Sequence, residues 1–368
     1  MNITSVRENY PALYRQTYLN TASCGVISRQ TAKTAQQFYQ HLLEGAGAAR
    51  AEWYEQIPLI RQEVAKWLGG RADELTLLPN FSIASNYVAR ALAGRRLLLL
   101  DSDYSSLTMP WLLHSYDIHY FSTEDNGFFD LDRIAKEVEE HDINVLAISH
   151  VQYATGFCVD LSRLGQWCRE RGVILVVDAT QSLGVVPINV QSMPVDILMG
   201  SGYKWMTAGF GNALLYVRRD LHEQLAVAAV GNNSFDGFPR ITSAEDIHFS
   251  ARILEAGHYD FSSFFAMRQA VRELQRVGTE AIDQRVRALT AYLHRQLPAS
   301  VRVVSDYPEA YRSGITVIEG NAELEKKLLE NDIITSARAQ GLRISLHFYN
   351  NEADVDRLCE ELALVLPR

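Results

Sequence analysis

Two residues of opposite charge stand where apolar segments of the chain end. Asp178 follows the run Val173–Val177, and Lys204 follows a second apolar run, 196–199, after two glycines. An uninterrupted run of apolar residues is typical of a strand covered on both faces, as in a parallel sheet. Because ligands of open α/β sheets bind beyond the carboxyl ends of strands, Asp178 and Lys204 are candidates for one site.

An amine and a carboxylate at one sheet edge suit catalysis with pyridoxal 5'-phosphate. In that chemistry a lysine amine forms a Schiff base with the aldehyde of the cofactor. A carboxylate keeps the pyridine nitrogen protonated, and the ring can then accept electrons from a carbanion. Asp178 and Lys204 provide this pair of groups.

The segments VVDATQSLG and SGYKW resemble the class V aminotransferase group of the fold-type I pyridoxal phosphate enzymes. This group includes cysteine desulfurases, kynureninases and serine–pyruvate-type aminotransferases. The resemblance implies that Lys204 is the imine lysine, that Asp178 partners the pyridinium nitrogen and that Gln181 lies beside the ring hydroxyl. It also implies that Ser201 donates to the cofactor phosphate. Tyr203 replaces a common imidazole next to the cofactor, an arrangement similar to that of kynureninases.

Each charged residue also has an ordinary structural interpretation. Asp178 can accept a hydrogen bond from a backbone N–H as the cap of a following helix. A lysine in a glycine-rich loop is usually solvated. Nucleotide motifs fit poorly, because GSGYKW has Trp205 where G-x-G-x-x-G needs its third glycine, and G-x-x-x-x-G-K-[ST] is absent from the sequence. The two residues together favour the catalytic interpretation.

A second candidate segment, 80–86, follows a short predicted strand at Glu74–Leu78. A helix that begins here offers backbone N–H groups, the Ser82 hydroxyl and the positive end of its dipole to an anion. The segment resembles the phosphate-binding segment of the family, with Ser82 in the place of a threonine and Phe81 in that of a small residue. The alternative is that Ser82 is only the N-cap of the helix.

The resemblance assigns two more residues to the surroundings of the cofactor. Tyr104 lies seven residues before Trp111, the spacing at which the family places an aromatic residue or a histidine on the ring. A tyrosine face suits this stacking, and the alternative is a tyrosine in a surface loop. In SHVQYATG, Gln152 lies one position before the place where the family often has an asparagine.

LRISLHFYN resembles the closing motif of the family. The resemblance implies that Arg343 binds the substrate carboxylate through the two parallel hydrogen bonds that a guanidinium forms. A strand arginine paired with a surface acid is the alternative, and Arg338 can share either role. In EAGHYDF, His258 stands where relatives place a threonine that reaches the cofactor phosphate of the other subunit, which implies a homodimer.

The composition disfavours several classes of function. The 368 residues are 47% hydrophobic and 21% charged, which is ordinary for a globular protein, and the net charge of −9 disfavours nucleic acid or an anionic membrane as the main partner. No apolar run has membrane-spanning length, and residues 1–16 contain no signal-peptide core. The four cysteines have no C-x-x-C spacing, so we predict no disulfide framework, no metal site and a cytoplasmic location.

Short apolar strands alternate with helical patterns along the chain. This alternation predicts an α/β fold with a mainly parallel sheet between helices, and the resemblance implies the fold-type I architecture with a seven-stranded sheet. The predicted large domain spans 18–255, and a smaller α+β domain spans 256–368 together with residues 1–17. In the small domain we expect a long helical region at Phe264–Leu297 and a strand at Val301–Val304.

Transamination of an amino acid is the predicted reaction. The alternative is a lyase reaction of kynureninase-like or C–S cleaving type, because these enzymes share the same cofactor machinery. A non-catalytic cofactor-binding scaffold is disfavoured by the presence of Lys204, Asp178 and Arg343 together. Desulfurases of this family use a loop cysteine ahead of the closing arginine motif, and no cysteine lies between Cys168 and Cys359.

Overall fold

Most strands of the protein coincide with apolar runs of its sequence. The structure is a computed structural model that describes residues 6–124, 126–235 and 243–365. The strands are β1 Thr17–Tyr18, β2 Leu75–Leu78, β3 Arg96–Leu100, β4 Asp117–Phe121, β5 Val145–Ser149, β6 Ile174–Asp178, β7 Ile197–Ser201, β8 Ala213–Val217, β9 Ile315–Ile318, β10 Ile333–Ile334, β11 Ser336–Arg338 and β12 Gly341–Ser345.

Helices connect most of these strands. They are α1 Arg29–Gly45, α2 Arg50–Trp67, α3 Phe81–Ala91, α4 Ser105–Thr108, α5 Leu131–Glu140, α6 Leu161–Glu170, α7 Phe261–Val277, α8 Thr279–Gln296, α9 Ala322–Glu330 and α10 Glu352–Val365. Across the three described ranges, none of the helices has the length and apolar character needed to cross a membrane.

Seven strands form the central sheet, in the order β2-β8-β7-β6-β5-β3-β4. β8 is antiparallel to both of its neighbours, and the other pairs are parallel. Every residue of β5, β6 and β7 is buried, which explains why these segments lack the alternation of a half-exposed strand. The predicted α/β fold with a mainly parallel seven-stranded sheet is confirmed.

The pairing register lines up the carboxyl ends of the central strands. Ser149 at the end of β5 pairs with Asp178 at the end of β6, and Asp178 pairs with Met199 of β7. On the other side, β3 runs parallel to β5. The loops that follow β3, β5, β6 and β7 therefore leave the sheet along the same edge.

A smaller antiparallel sheet, in the order β11-β12-β9, forms in the C-terminal part of the chain. The N-terminal segment joins this part, because β1 pairs with β10 and Asn20 bridges to Ser345. Helix α7 packs against α1 and α2, although it follows the predicted domain boundary at residues 255 and 256. That boundary stays a prediction, and residues 1–5 and 366–368 of the predicted small domain lie outside the described residues.

Two predicted elements differ from the structure. The helical region expected at Phe264–Leu297 is two helices, α7 and α8, which meet at Gly278 with φ of 91°. This left-handed conformation suits glycine and ends α7. The segment Val301–Val304 is not a strand, since only Val303 forms a bridge, to Ile318.

Candidate active site

Four loops at the carboxyl edge of the central sheet carry most of the predicted site residues. The loop after β3 carries Tyr104, and the loop after β5 carries Gln152. The loop after β6 carries Gln181, and the loop after β7 carries Lys204. Since these strands end in a row, the sheet brings together residues that are up to 100 positions apart in the sequence.

Lys204 is buried between aromatic rings. Lys204 is only 7% exposed, and its Nζ lies 5.6 Å from the ring centres of both Tyr104 and Tyr203. Burial disfavours the ammonium form and lowers the pKa of Lys204 to about 8, against the opposing charge of Asp178. The alternative of a solvated loop lysine is therefore wrong.

Asp178 is the buried last residue of β6. Its Oδ1 accepts a hydrogen bond of 2.8 Å from the backbone N–H of Thr180. Burial raises the pKa of Asp178 to about 6, and the nearby charge of Asp103 adds to the shift, while the bonds from Thr180 oppose it. No helix lies between β6 and β7, a stretch that is described throughout, so the alternative of a helix cap is wrong.

Gln181 uses both ends of its amide within the chain. Nε2 donates to the carbonyl of Ala22 at 3.1 Å, and Oε1 accepts from the indole N–H of Trp205 at 2.6 Å. The side chain thus joins the N-terminal segment to the residue after Lys204. Its place beside the ring hydroxyl of the cofactor stays a prediction.

Gln152 donates to a buried carboxylate that the sequence did not single out. Its Nε2 lies 3.2 Å from Oδ2 of Asp103. Asp103 also accepts from Tyr104 N at 2.7 Å, from Ser149 N at 2.9 Å and from Ser149 Oγ at 2.6 Å. Burial raises the pKa of Asp103, and these hydrogen bonds oppose that shift. The position of this acid just before Tyr104, three residues after the end of β3, was the available signal.

The predicted phosphate segment begins α3. Asn80 is the N-cap, with Oδ1 accepting from Ile83 N at 3.0 Å, so the alternative that Ser82 caps the helix is wrong. The Ser82 hydroxyl lies 3.3 Å from Ser106 Oγ. The side chain of Phe81 is buried in an apolar cluster, which leaves its backbone N–H as the group available to an anion.

Ser201 and Tyr203 flank the approach to Lys204. The buried Ser201, at the end of β7, donates its backbone N–H to Thr180 Oγ1 at 3.2 Å. The ring of Tyr203 stacks on Phe210, with centroids 4.7 Å apart and planes inclined by 15°. Burial raises the pKa of Tyr203 to about 12, so its hydroxyl stays protonated at neutral pH.

His258 lies on the surface of the chain, beside α2. Its Nδ1 is 2.6 Å from the hydroxyl of Tyr54, and the two rings meet edge to face. The hydrogen bond and the ring contact of this imidazole, within the described chain, are with Tyr54 rather than with the groups around Lys204. The predicted role across a subunit interface stays a prediction.

Arg343 is buried, and part of its guanidinium lacks a partner. It is 1% exposed, with Nη1 donating to the carbonyl of Tyr153 at 2.7 Å and Nη2 to Ser23 Oγ at 2.6 Å. Nε is buried without a hydrogen-bond partner. Burial lowers the pKa of Arg343 to about 10, with Arg338 adding to the shift. The alternative of an ion pair with a surface acid is wrong, and an anionic ligand would satisfy the free donor.

The segment before α1 packs directly on the backbone at Lys204. Gly25 N donates to the carbonyl of Tyr203 at 2.8 Å, and a methyl group added at Gly25 would lie 1.9 Å from the Lys204 carbonyl oxygen. The half-buried thiol of Cys24 is close enough for its charge to affect Lys204. Ser23 and Cys24 were not among the site residues predicted from the sequence.

The residues that the sheet edge assembles fit pyridoxal 5'-phosphate. Lys204 supplies a buried amine whose lowered pKa favours the neutral, nucleophilic form. Asp178 supplies a buried carboxylate for a pyridine nitrogen, and Tyr104 supplies an aromatic ring beside the amine. The unpaired Nε of Arg343 adds a donor for a carboxylate.

Relatives of the chain share nearly its whole length. An uncharacterized aminotransferase YcbU of Bacillus subtilis is 26% identical, over 97% of this chain and 96% of that protein. The isopenicillin N epimerase of Streptomyces clavuligerus is 27% identical, over 94% of this chain and 93% of that protein.

Solved structures share the fold. The apo structure of a cysteine desulfurase from Thermococcus onnurineus superposes with a TM-score of 0.89 at 19% identity, covering 98% of this chain and 97% of that one. A structure of C-DES with glycine covalently linked to its PLP cofactor gives a TM-score of 0.87 at 20% identity, covering 97% and 98%.

The family model described as Aminotransferase class-V matches residues 17–358. A match over this range confirms the predicted family and, with it, a pyridoxal phosphate-dependent enzyme of fold type I. The chain belongs to the class V aminotransferase family.

Proposed function

We propose that the enzyme transfers the amino group of an amino acid, with pyridoxal 5'-phosphate attached to Lys204. The observation that supports this proposal best is the buried Lys204 amine, with its pKa lowered to about 8, at the same sheet edge as the buried Asp178. When bound, the cofactor supplies an electron sink that weakens the bonds at the α-carbon of the substrate.

Within this proposal, each residue at the strand ends has a separate role. Asp178 would keep a proton at the pyridine nitrogen, and its burial would shield this pair from water. Lys204 Nζ would take the proton from the α-carbon and pass it to the cofactor carbon that keeps the amino group. Tyr104 would supply an aromatic face for the ring, and the buried Gln152 and Gln181 hold the surrounding loops through their hydrogen bonds.

The remaining assignments concern the two anionic groups. The cofactor phosphate is assigned to the N-terminus of α3, with the Phe81 backbone N–H and the Ser82 hydroxyl, and to Ser201. His258 is assigned to the phosphate of a second subunit, in a homodimer. Arg343 is assigned to the substrate carboxylate, because its buried guanidinium has an unused donor.

A C–S cleaving lyase is the second candidate, and one observation favours it. Cys24 is half-buried beside Lys204, whereas Cys158, Cys168 and Cys359 are buried elsewhere. Burial raises the pKa of Cys24, and the charge of Lys204 opposes that shift. We rank transamination first because a protonated thiol is a weak sulfur acceptor.

All four cysteines are free, which supports the proposed cytoplasmic location.

The first test concerns the attachment of the cofactor. Protein loaded with pyridoxal 5'-phosphate and reduced with borohydride should carry the cofactor on the peptide that contains Lys204, as seen by mass spectrometry. Lys204→Ala should lose the label, and Lys66→Ala, at an exposed lysine of α2, should keep it. A label that remains in Lys204→Ala would contradict the proposal.

The same loaded protein separates the two candidate reactions. Without an amino acceptor, a transaminase converts one equivalent of amino acid per site and stops, because the amino group stays on the cofactor. A lyase continues to release product from the same sample. Conversion that stops at one equivalent and resumes when an oxo acid is added supports transamination, and continued release of sulfide or of another leaving group supports the lyase.

A further inference from the structure

Two arginines of the β11–β12 hairpin meet at one serine of the N-terminal segment. Nη2 of Arg343 donates to Ser23 Oγ at 2.6 Å, and Nη2 of Arg338 donates to the same oxygen at 3.1 Å. The hairpin register explains the convergence. Ser336 pairs with Arg343, so Arg338, two residues beyond Ser336, lies on the same face of the sheet.

Both guanidiniums keep unused donors. Besides Ser23, Arg343 donates to the carbonyl of Tyr153 at 2.7 Å, and Arg338 donates to that of Ala337 at 3.0 Å. Each side chain thus uses two of the five N–H groups that a guanidinium has. Nε of Arg343 is buried with no partner, and no carboxylate of the described ranges pairs with either arginine.

The two arginines also stand close to the Lys204 amine. The charges of Arg343 and Arg338 both lower the pKa of Lys204, and the charge of Arg338 lowers that of Arg343. Positive groups that lower one another's pKa are destabilising unless anions offset them. The carboxylate of Asp178, at the end of β6, opposes the lowering of the pKa of Lys204. It does not act on the pKa of Arg343.

We propose that Arg343 and Arg338 together bind a substrate with two carboxylates. The substrate is an amino acid whose side chain ends in an acid, or the matching dicarboxylic oxo acid as amino acceptor. Arg343, which is buried, takes the α-carboxylate, and Arg338, which is exposed, takes the distal one. This inference rests on the proposed function, because it names the substrate class of the same site.

A single carboxylate that bridges both arginines is the competing arrangement. It needs the same two guanidiniums but places no requirement on the substrate side chain. The two arrangements differ in what Arg338→Gln does, since a bridge would weaken every carboxylate ligand, whereas a second subsite would weaken only the diacids.

The first experiment needs no turnover. Cofactor-free protein in phosphate-free buffer is titrated with glutarate and with valerate, which has a methyl group in place of the second carboxylate, and binding is followed by calorimetry. Glutarate should bind about 10- to 100-fold more tightly, the range expected for charged hydrogen bonds. Arg338→Gln should remove this difference without changing valerate binding.

A matched control separates the subsite from general charge attraction. Arg302→Gln removes an arginine that pairs with Glu319 on the surface, and it should keep the preference for glutarate. Equal binding of glutarate and valerate by the unchanged protein would overturn the inference. Arg338→Gln that weakens both ligands equally would overturn it in favour of the single bridging carboxylate.

The second experiment uses the loaded enzyme and compares glutamate with its neutral isostere glutamine. We expect kcat/KM to favour glutamate about 10- to 100-fold, and Arg338→Gln should bring the ratio close to one by lowering the glutamate value. Turnover of amino acids with no preference for the acid would overturn this inference and leave the proposed function standing. Absence of cofactor on Lys204 would overturn both.

Discussion

The amine of Lys204 is held between opposing influences on its protonation. Burial lowers its pKa, the neighbouring guanidinium of Arg343 acts in the same direction, and the carboxylate of Asp178 acts against them. An amine must be neutral to attack an aldehyde, so the balance decides how readily the cofactor becomes attached. Within the proposed function, the lowered pKa therefore favours attachment of the cofactor at Lys204.

The pH dependence of Lys204 in cofactor-free protein should follow this lowered pKa. Because only the neutral amine reacts with acetic anhydride, labelling of Lys204 should reach half its maximum near pH 8. An unperturbed lysine titrates near pH 10.4. The extent of labelling is measured by mass spectrometry of the Lys204 peptide across a pH series, with the exposed Lys326 as the reference for reagent consumption.

Two variants test the direction in which each charged neighbour shifts the pKa of Lys204. Arg343→Gln removes a positive charge, so the midpoint of Lys204 labelling should move to higher pH. Asp178→Asn removes a negative charge, so the midpoint should move to lower pH. A midpoint above about pH 10 in the unchanged protein, or shifts of the opposite sign, would show that these contacts do not set the protonation of Lys204.

At the scale of residues, the sequence could predict which positions meet but not what each side chain bonds. Asp178 was predictable because an apolar run ends just before it, and Lys204 because it lies in the loop that follows a second apolar run. The amide partners of Gln181, Ala22 and Trp205, depend on how the N-terminal segment folds back over the sheet. No local pattern encodes a contact between residues 159 positions apart, as Gln181 and Ala22 are.

Among the elements, the segment between β1 and α1 packs directly on the loop after β7. Gly25 is the point of contact, since its backbone N–H donates to Tyr203 and its missing side chain leaves room for the Lys204 carbonyl. This contact joins two segments that the sequence separates by nearly 180 positions. It fixes the backbone at Lys204.

Gly25→Ala should destabilise the cofactor-free protein and slow attachment of the cofactor. The added methyl group would lie 1.9 Å from the Lys204 carbonyl oxygen, so one of the two backbone segments must move. Overpacking of this kind costs about 1 to 3 kcal/mol, measured as the loss in unfolding free energy in urea. Gly45→Ala, where no atom lies within 4 Å, should lose no stability.

An effect on both variants alike would mean that Gly25 acts through chain flexibility and not through its contact with Lys204. The expected result is a loss confined to Gly25→Ala, together with a lower rate of cofactor attachment. The rate is followed by the absorbance change when pyridoxal 5'-phosphate is added to each variant.

The sequence predicted elements well where apolar runs were long and poorly where pairing or a turn decided the outcome. The strands β5 and β6 follow runs of buried apolar residues, with ends that match the prediction closely. Val301–Val304 is also rich in valine but includes the exposed Arg302, and it pairs at Val303 only. Gly278 breaks a helical pattern whose apolar period continues on both sides, so periodicity alone could not show the break.

For the molecule as a whole, several large apolar side chains of the single chain are exposed to solvent. Leu113 is 75% exposed, after the Tyr104 loop, and Phe210 is 69% exposed, after the Lys204 loop. Leu112 and Met109 are each 60% exposed. Apolar surface beside a candidate site is common where subunits meet, and it supports the proposed homodimer.

A shared active site predicts complementation between two variants that each fail to retain the cofactor. If His258 of one chain serves the site of the other, a heterodimer of Lys204→Ala and His258→Ala chains has one site with both residues intact. Random reassortment of equal amounts should then make about one quarter of all sites native. Retained cofactor is measured after gel filtration at limiting pyridoxal 5'-phosphate, with each variant alone as the baseline.

The position of His258 in the single chain means that recovery of cofactor retention in mixed dimers would be specific to a shared site. His258 contacts Tyr54 at the surface, away from Lys204, so a role within its own chain would leave every heterodimer site with one defect. Mixtures would then retain no more cofactor than the average of the two variants.

Tyr54→Phe serves as the control for disturbing the His258 contact without removing the imidazole, and it should weaken retention less than His258→Ala. An active monomer at micromolar concentration would contradict the shared site regardless of these variants, because one chain would then hold the cofactor unaided.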